Sequence, residues 1–107
     1  MYFEFIESSV FTAHVGDYLS DEEYAALQEH LCETPDAGDL VRGSGGVRKL
    51  RWARTGTGKS SGLRVCYYSR SRKGQILMLV IYAKSSRDSV AASVLKAVRE
   101  ELEHDID

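Results

Sequence analysis

The strongest structural signal in this sequence is residues 63–84, which read LRVCYYSRSRKGQILMLVIYAK. The two ends of this stretch, residues 63–69 and 75–84, are rich in aromatic and branched apolar residues that favour β-strands. Between them, residues 70–74 form a short polar segment that ends in glycine, which is typical of a turn. We therefore predict two neighbouring antiparallel strands joined by a tight turn.

Patterns on either side of this hairpin predict the other elements. They are a short strand at residues 2–6, a helix capped by Ser8 or Ser9, a second helix capped by Ser20, a strand at residues 47–53 and a final helix from Asp88 to about His104. Glu23 stands three residues after Ser20, which is the spacing of a capping box. Pro35 cannot continue the second helix and is expected to follow its end.

The resulting order of elements, β-α-α-β-β-β-α, predicts an α+β fold. Short connections between the last three strands favour an antiparallel sheet, and we expect the helices to pack on one face of it. A chain of 107 residues is long enough for one small domain with one core. We expect residues 1–107 to form that domain in the cytoplasm, without a secretory signal or a membrane span.

Charge is distributed very unevenly along the chain. The formal net charge is only −2, but residues 40–87 contain no Asp or Glu and hold twelve of the fourteen Lys and Arg residues. These twelve are Arg42, Arg48, Lys49, Arg51, Arg54, Lys59, Arg64, Arg70, Arg72, Lys73, Lys84 and Arg87. Such a segment repels itself unless a negative partner meets it, and the phosphodiester backbone of a nucleic acid is the best match.

Strand geometry predicts which of these side chains act together. Because side chains alternate between the two faces of a strand, Lys49 and Arg51 share one face. By the same alternation, Tyr82 and Lys84 are expected on the face that Ile76 occupies. If the helices cover the opposite face, five polar side chains converge on the open one. They are Lys49, Arg51, Arg64, Tyr82 and Lys84.

The residue types in this group limit its chemistry. Arginine offers a planar fork for phosphate oxygens, lysine a point charge, and tyrosine can stack on a base or move a proton. No Asp, Glu or His lies near these five residues in the sequence. This disfavours a two-metal nuclease, which needs carboxylate ligands, and a His-pair ribonuclease. Two alternatives stay open: metal-free cleavage of RNA by its own 2′-hydroxyl, and a basic surface that binds RNA without chemistry. Neither a metal nor a cofactor is expected.

Some features that could suggest other chemistry have simpler explanations. Cys32 and Cys66 lack CxxC spacing and histidine neighbours, which indicates reduced, packed thiols. Trp52 stands on the strand face opposite Arg51, which predicts core packing rather than base stacking. Residues 53–60, ARTGTGKS, resemble a phosphate-binding P-loop, but the preceding strand is cationic and a β-segment follows instead of a helix. We therefore expect a cationic loop in which Lys59 contacts RNA.

Three short stretches occur in an informative order. Residues 45–53 read GGVRKLRWA, residues 62–68 read GLRVCYY after the pair Gly58-Lys59, and residues 79–84 read LVIYAK. In this order and spacing they resemble the RelE/ParE toxin superfamily, with the HigB-like toxins of type II toxin–antitoxin systems as the nearest branch. The resemblance covers essentially the whole chain and implies a small RelE-like domain.

The resemblance also implies an activity: a ribosome-dependent mRNA endonuclease that inhibits translation. It implies that Arg64 supports the scissile phosphate and that basic residues on the strand before it supply further charge. The catalytic candidates are Arg64, Lys84, Tyr82 and Lys49. The residues expected to bind RNA phosphates are Arg48, Arg51, Lys59, Arg70, Arg72 and Lys73.

Partners follow from the same resemblance. They are mRNA on the ribosome, ribosomal RNA and a cognate antitoxin, expected to be a helix-turn-helix DNA-binding protein. Two alternative functions remain at this stage: a ParE-like toxin that inhibits DNA gyrase, and an RNA-binding module without catalysis.

Overall fold

The computed structural model describes residues 2–53, 62–86 and 89–107. Three helices and five strands form within these ranges. In chain order they are β1 (Glu4–Glu7), α1 (Ser9–Tyr18), α2 (Asp21–Glu33), β2 (Asp39–Leu40), β3 (Arg48–Trp52), β4 (Leu63–Arg70), β5 (Gln75–Ala83) and α3 (Ala92–Ile106). One turn of 3₁₀ helix, Ser71–Lys73, lies between β4 and β5. The predicted α+β class is confirmed.

The sheet has the strand order β1-β5-β4-β3-β2. Strands β2 to β5 pair antiparallel, and β4 and β5 form the predicted hairpin. The prediction of an antiparallel sheet is wrong for β1, which pairs parallel to β5. The reason lies at the start of α1, where the Ser8 backbone N–H donates to the Met78 carbonyl and the Ser8 hydroxyl donates to the Leu79 carbonyl at 2.7 Å. These bonds fasten the first helix to the middle of β5.

The helices cover both faces of the sheet, so the prediction that they pack on one face is wrong. One core, which includes Phe11, Leu27 and Ile76, lies between the sheet and helices α1 and α2. A second core, which includes Leu77 and Leu95, lies between the opposite face and α3. The physical reason is that β5 is apolar on both sides, and an apolar face exposed to water would be unfavourable.

A β-bulge changes the phase of β5. Cys66 pairs with Val80 but Tyr67 pairs with Met78, so Leu79 is an extra residue in the ladder. Before the bulge, the even-numbered Ile76 faces α1 and α2, whereas after it Tyr82 belongs to the α3-side core. The prediction that Tyr82 shares a face with Ile76 is therefore wrong.

The helix termini follow the sequence signals closely at the first two helices. The Ser8 hydroxyl accepts from the Phe11 backbone N–H, and Ser20 with Glu23 forms the predicted capping box. The last helix begins at Ala92, later than predicted, and its N-cap Ala91 makes no side-chain cap. Asp88, the predicted cap, lies outside the described residues. In the described part of the chain, no helix combines the length and apolar character needed to cross a membrane.

Candidate functional site

A cavity of about 720 Å³ opens at one end of the sheet, where β3 and β5 end and β4 begins. Its lining residues are Arg51, Trp52, Ala53, Gly62, Arg64, Lys84 and Ser85. Among these described residues, every charged side chain is a cation. The described part of the cavity wall thus offers an anion several positive partners and no competing carboxylate.

The strand register explains how the cations meet. Arg51 on β3 lies directly opposite Arg64 on β4, and Arg64 lies directly opposite Tyr82 on β5. Side chains at directly opposed positions point to the same face and approach to about 5 Å at Cβ. Two arginines in this relation repel each other, so an anion bound between them would relieve an unfavourable contact.

Arg64 is the buried member of this group. Its side chain belongs to a residue that is only 8% exposed, and its Nη1 donates to the Leu63 carbonyl at 3.3 Å. Within residues 2–53, 62–86 and 89–107, no carboxylate forms an ion pair with it. A buried charge without a counter-ion is costly, and such groups concentrate at functional sites.

Lys84 enters the cavity from the end of β5. It is exposed, and its backbone N–H donates to the Gly62 carbonyl at 3.2 Å, which fixes the strand end against the start of β4. Two residues on, the Ser86 hydroxyl donates to the Ala83 carbonyl at 2.9 Å and holds the following turn. The main chain around Lys84 is therefore well anchored, while its side chain is open to solvent.

Two of the predicted catalytic residues lie beside the cavity rather than in its lining. Lys49 is half-buried on the same face, opposite Cys66 and two residues before Arg51. Burial raises the pKa of the Cys66 thiol to about 11, and the positive charge of Lys49 opposes part of that rise. Tyr82 is 4% exposed and belongs to the core under α3. The structure thus places Tyr82 beside Arg64, on the neighbouring strand.

The structure separates Arg48 from this group. Arg48 is an even-numbered residue of β3, so it points to the face opposite Arg51, and its Nη1 donates to the Gly38 carbonyl at 3.2 Å. Its partner across the ladder is Tyr67, which belongs to the core under α1 and α2. Contact between Arg48 and the same phosphate as Arg64 is not supported by this placement.

The turn cations lie at the opposite end of the hairpin, about 23 Å along β4 from the cavity. Arg70 is 9% exposed, and its Nη2 donates to both carboxylate oxygens of Asp107 at 2.9 and 3.1 Å. Lys73 reaches the same carboxylate at 3.5 Å. Arg72 is exposed in the turn. The end of α3 thus supplies counter-ions to two cations that the sequence analysis assigned to RNA.

Sequence reasoning missed part of the cavity wall. Trp52, predicted to be a core residue, packs against the core under α1 and α2 and also lines the cavity. Ala53, Gly62 and Ser85 were not singled out. Their positions next to strand ends are the signal that could have found them, because a cavity at the end of a sheet is walled by the last residues of its strands.

One predicted RNA contact falls on a residue that the structure does not describe. Lys59 lies outside the described residues, as does most of the segment that resembles a P-loop. Across the part of the chain that the structure describes, no three His, Cys, Asp or Glu side chains come together in a group that could hold a metal ion.

Comparison with known proteins bears on the fold. No protein-family model matches the sequence. Among solved structures, the chain is similar to the E. coli toxin RelE, in the free state and carrying two arginine-to-alanine substitutions, with 15% sequence identity, 100% of each chain covered and a TM-score of 0.56. At this identity the likeness concerns the fold alone, and it shows that this chain has a RelE-like fold.

Proposed function

We propose that this chain is the toxin of a type II toxin–antitoxin system, of the HigB-like branch, and that it cleaves mRNA on the ribosome. The fold supports the proposal because a RelE-like fold is shared with a solved toxin. The sequence supports it through the HigB-like stretches in residues 45–53, 62–68 and 79–84. Translation stops in this proposal because the message itself is cut.

The observation that carries the proposal is the state of Arg64. A buried guanidinium faces Arg51 across the sheet, next to a cavity that also receives Lys84, and no described carboxylate pairs with it. A core residue selected only for packing would be apolar here. The arrangement suits a phosphate whose charge increases during the reaction, since preorganised donors stabilise developing charge at no reorganisation cost.

The proposed reaction needs only RNA, water and these side chains. The 2′-oxygen of one ribose forms a bond to the adjacent phosphorus, and the bond from phosphorus to the 5′-oxygen of the next nucleotide breaks. The 2′-hydroxyl proton passes to water, and the departing 5′-oxygen receives a proton. The products are a 2′,3′-cyclic phosphate and a 5′-hydroxyl end, so atoms and charge balance.

Each side chain has a proposed part in this step. Arg64 and Arg51 bind the non-bridging phosphate oxygens, whose negative charge grows in the transition state. Lys84, an exposed ammonium at the cavity, is the proposed proton donor to the 5′-oxygen. Lys49 adds positive charge on the same face. Tyr82, buried beside Arg64 on the neighbouring strand, is proposed to hold that side chain in position.

The partners belong to the same proposal. The message is presented by the ribosome, and the exposed turn residue Arg72 is a proposed contact with ribosomal RNA. Lys73 contributes there in spite of its contact with Asp107, whereas the Nη2 of the buried Arg70 is held by the Asp107 carboxylate at the end of α3. A helix-turn-helix antitoxin is the proposed inhibitor. Because its target surface is cationic, its first encounter with this chain should weaken as salt rises.

Growth and labelling experiments test the proposal. Native protein, Arg64→Ala and Lys96→Ala are expressed in cells while protein and DNA synthesis are followed separately. Lys96 is an exposed cation on α3 that does not line the cavity, so Lys96→Ala controls for the loss of one positive charge. We expect native protein and Lys96→Ala to stop protein synthesis with cleaved mRNA. Arg64→Ala should lose toxicity by a factor of about 100 to 1,000, the effect of removing one key donor.

Other outcomes point elsewhere. Arrest of DNA synthesis with intact mRNA would identify a gyrase inhibitor. If Arg64→Ala remains as toxic as the native chain, Arg64 is not the phosphate ligand, and the proposal for this site is wrong.

A further inference from the structure

The single tryptophan of this chain borders the candidate site. Trp52 is the last residue of β3 and lines the cavity together with Arg51, Arg64 and Lys84. We propose that Trp52 stacks on the nucleobase adjacent to the phosphate held by Arg64. This inference rests on the proposed function and adds to it a residue that positions the substrate.

The register places Trp52 at a suitable distance from the phosphate ligands. Trp52 is opposite Leu63, the residue before Arg64, so the Cα atoms of Trp52 and Arg64 are about 6 Å apart. Arg51 and Trp52 point to opposite faces of β3, but the strand ends here and the sheet no longer separates its two faces. Both residues therefore border one cavity. A single nucleotide can span the gap between the cations and the ring.

The indole ring is supported from behind. His30, near the end of α2, packs against it with ring centroids 5.3 Å apart and planes inclined by 44°. Trp52 itself is half-buried against the core under α1 and α2. A ring already fixed on one side loses little conformational freedom when a base stacks on its remaining surface. Aromatic stacking accepts any base, so this contact would position RNA without selecting a sequence.

Core packing explains the covered side of Trp52 but not the side that lines the cavity. A tryptophan that served the core could be covered completely, as Phe11 is. Instead, Trp52 forms part of a wall whose charged members are all cations in the described structure. Cations for the phosphate and an aromatic ring for the base are the two components that single-stranded RNA sites combine.

A double-perturbation cycle on programmed ribosomes tests the inference. The messages carry either a normal or an abasic nucleotide on one side of the cleaved bond. The proteins are native, Trp52→Leu, Trp52→Phe and Phe5→Leu. Phe5 contacts the same core from β1, at the far edge of the sheet, so Phe5→Leu controls for the loss of an aromatic ring.

The expected result is strong coupling between ring and base. For the native protein, the abasic nucleotide slows cleavage about tenfold to a hundredfold, the usual value of one stacked base. Trp52→Leu slows cleavage of the normal message by a similar factor, and the abasic nucleotide then adds less than about twofold because the stack is already lost. Trp52→Phe keeps an aromatic ring and should recover most of the activity that Trp52→Leu loses. The control Phe5→Leu should remain within about threefold of native.

Three outcomes overturn parts of this reasoning separately. An abasic penalty that is the same in Trp52→Leu as in the native protein removes the stacking role and leaves the proposed function intact. Cleavage by Trp52→Leu at the native rate does the same. If the native protein cuts neither message, the proposed function fails, and the stacking role fails with it.

Tryptophan fluorescence gives a second measurement. It uses the native Trp52, so it does not depend on whether a Trp52 variant folds. A short, dye-labelled 2′-O-methyl RNA, which cannot be cleaved, is added to the protein until the anisotropy of the dye reports full binding. The same addition to Arg64→Ala should show no binding. At that concentration the emission of Trp52 should change with the normal RNA and much less with the abasic RNA. Unchanged emission at full binding contradicts the inference.

Discussion

Replacing Arg64 by methionine should make this protein more stable and inactive at the same time. Arg64→Met keeps a flexible apolar chain of similar length in the buried space but removes the charge. The native residue is 8% exposed and lies opposite Arg51 across the sheet, and its Nη1 donates to the Leu63 carbonyl at 3.3 Å. Stability and function therefore make opposite demands at this position.

The expected gain is the sum of two favourable terms minus one cost. Two unit charges about 6 Å apart at an effective dielectric constant near 20 repel by about 3 kcal/mol. Arg51 is exposed, so solvent and salt reduce this to about 1 kcal/mol. Removing the desolvation cost of the buried guanidinium adds about 1–2 kcal/mol, and losing one hydrogen bond subtracts about 1 kcal/mol. The net expectation for Arg64→Met is a gain of about 1–2 kcal/mol.

Urea unfolding of native protein and Arg64→Met, followed by circular dichroism, measures the difference in their free energies of unfolding, and heating the same samples gives their Tm values. A gain of 1–2 kcal/mol corresponds to a rise in Tm of roughly 5–15 °C in a chain of this size. Added phosphate or sulfate should stabilise the native protein and not the variant, because only the native site binds the anion. If Arg64→Met is less stable than native by about 1 kcal/mol or more, Arg64 holds the fold together and the reasoning about a functional charge is wrong.

Three further predictions concern the rest of the molecule. The hydrogen bond from Arg70 holds the pKa of Asp107 below its usual value, so this stabilisation is present above about pH 4 and is lost as pH falls through the folded-state pKa. Urea midpoints of native protein and Asp107→Asn should therefore differ at pH 7 and converge in acid; a constant difference would contradict the ion pair. Because burial raises the pKa of Cys66 to about 11, thiol reagents should label the half-buried Cys32 first and reach Cys66 only as the protein unfolds, so equal labelling rates would refute its burial. Ser20→Ala removes the hydroxyl that caps α2 and should lower the free energy of unfolding by about 1 kcal/mol in urea titrations without changing toxicity, whereas unchanged stability would show that the cap is not needed.

Much of the fold could be predicted because local signals are strong. The hairpin of β4 and β5 and the capping box at Ser20 depend on residues close in sequence, and both appear in the structure. The parallel pairing of β1 depends on contacts between residues more than 70 positions apart, such as Ser8 with Leu79. No local pattern reports such a contact. The second helical layer could have been inferred, since β5 is apolar on both sides.

The site was predictable in its residue types and less so in its geometry. Alternation along β3 put Lys49 and Arg51 on one face, and the assumption that Arg64 shares this face agrees with its direct pairing with Arg51. The bulge at Leu79 then shifted the phase of β5, which a strict period of two cannot anticipate. Arg70 shows a different limit: its counter-ion, Asp107, lies 37 residues away at the end of α3. An acid-free stretch of sequence is therefore not an acid-free surface.

Cleavage of a defined message by purified protein tests the central claim most directly. The claim is that the cations at the end of the sheet cut mRNA held on the ribosome. The protein is mixed with the same message free in solution and bound to programmed ribosomes, and the ends of the products are mapped and characterised. We predict cuts in the ribosome-bound message only, leaving a 2′,3′-cyclic phosphate and a 5′-hydroxyl end. An intact message on ribosomes under these conditions would contradict the claim.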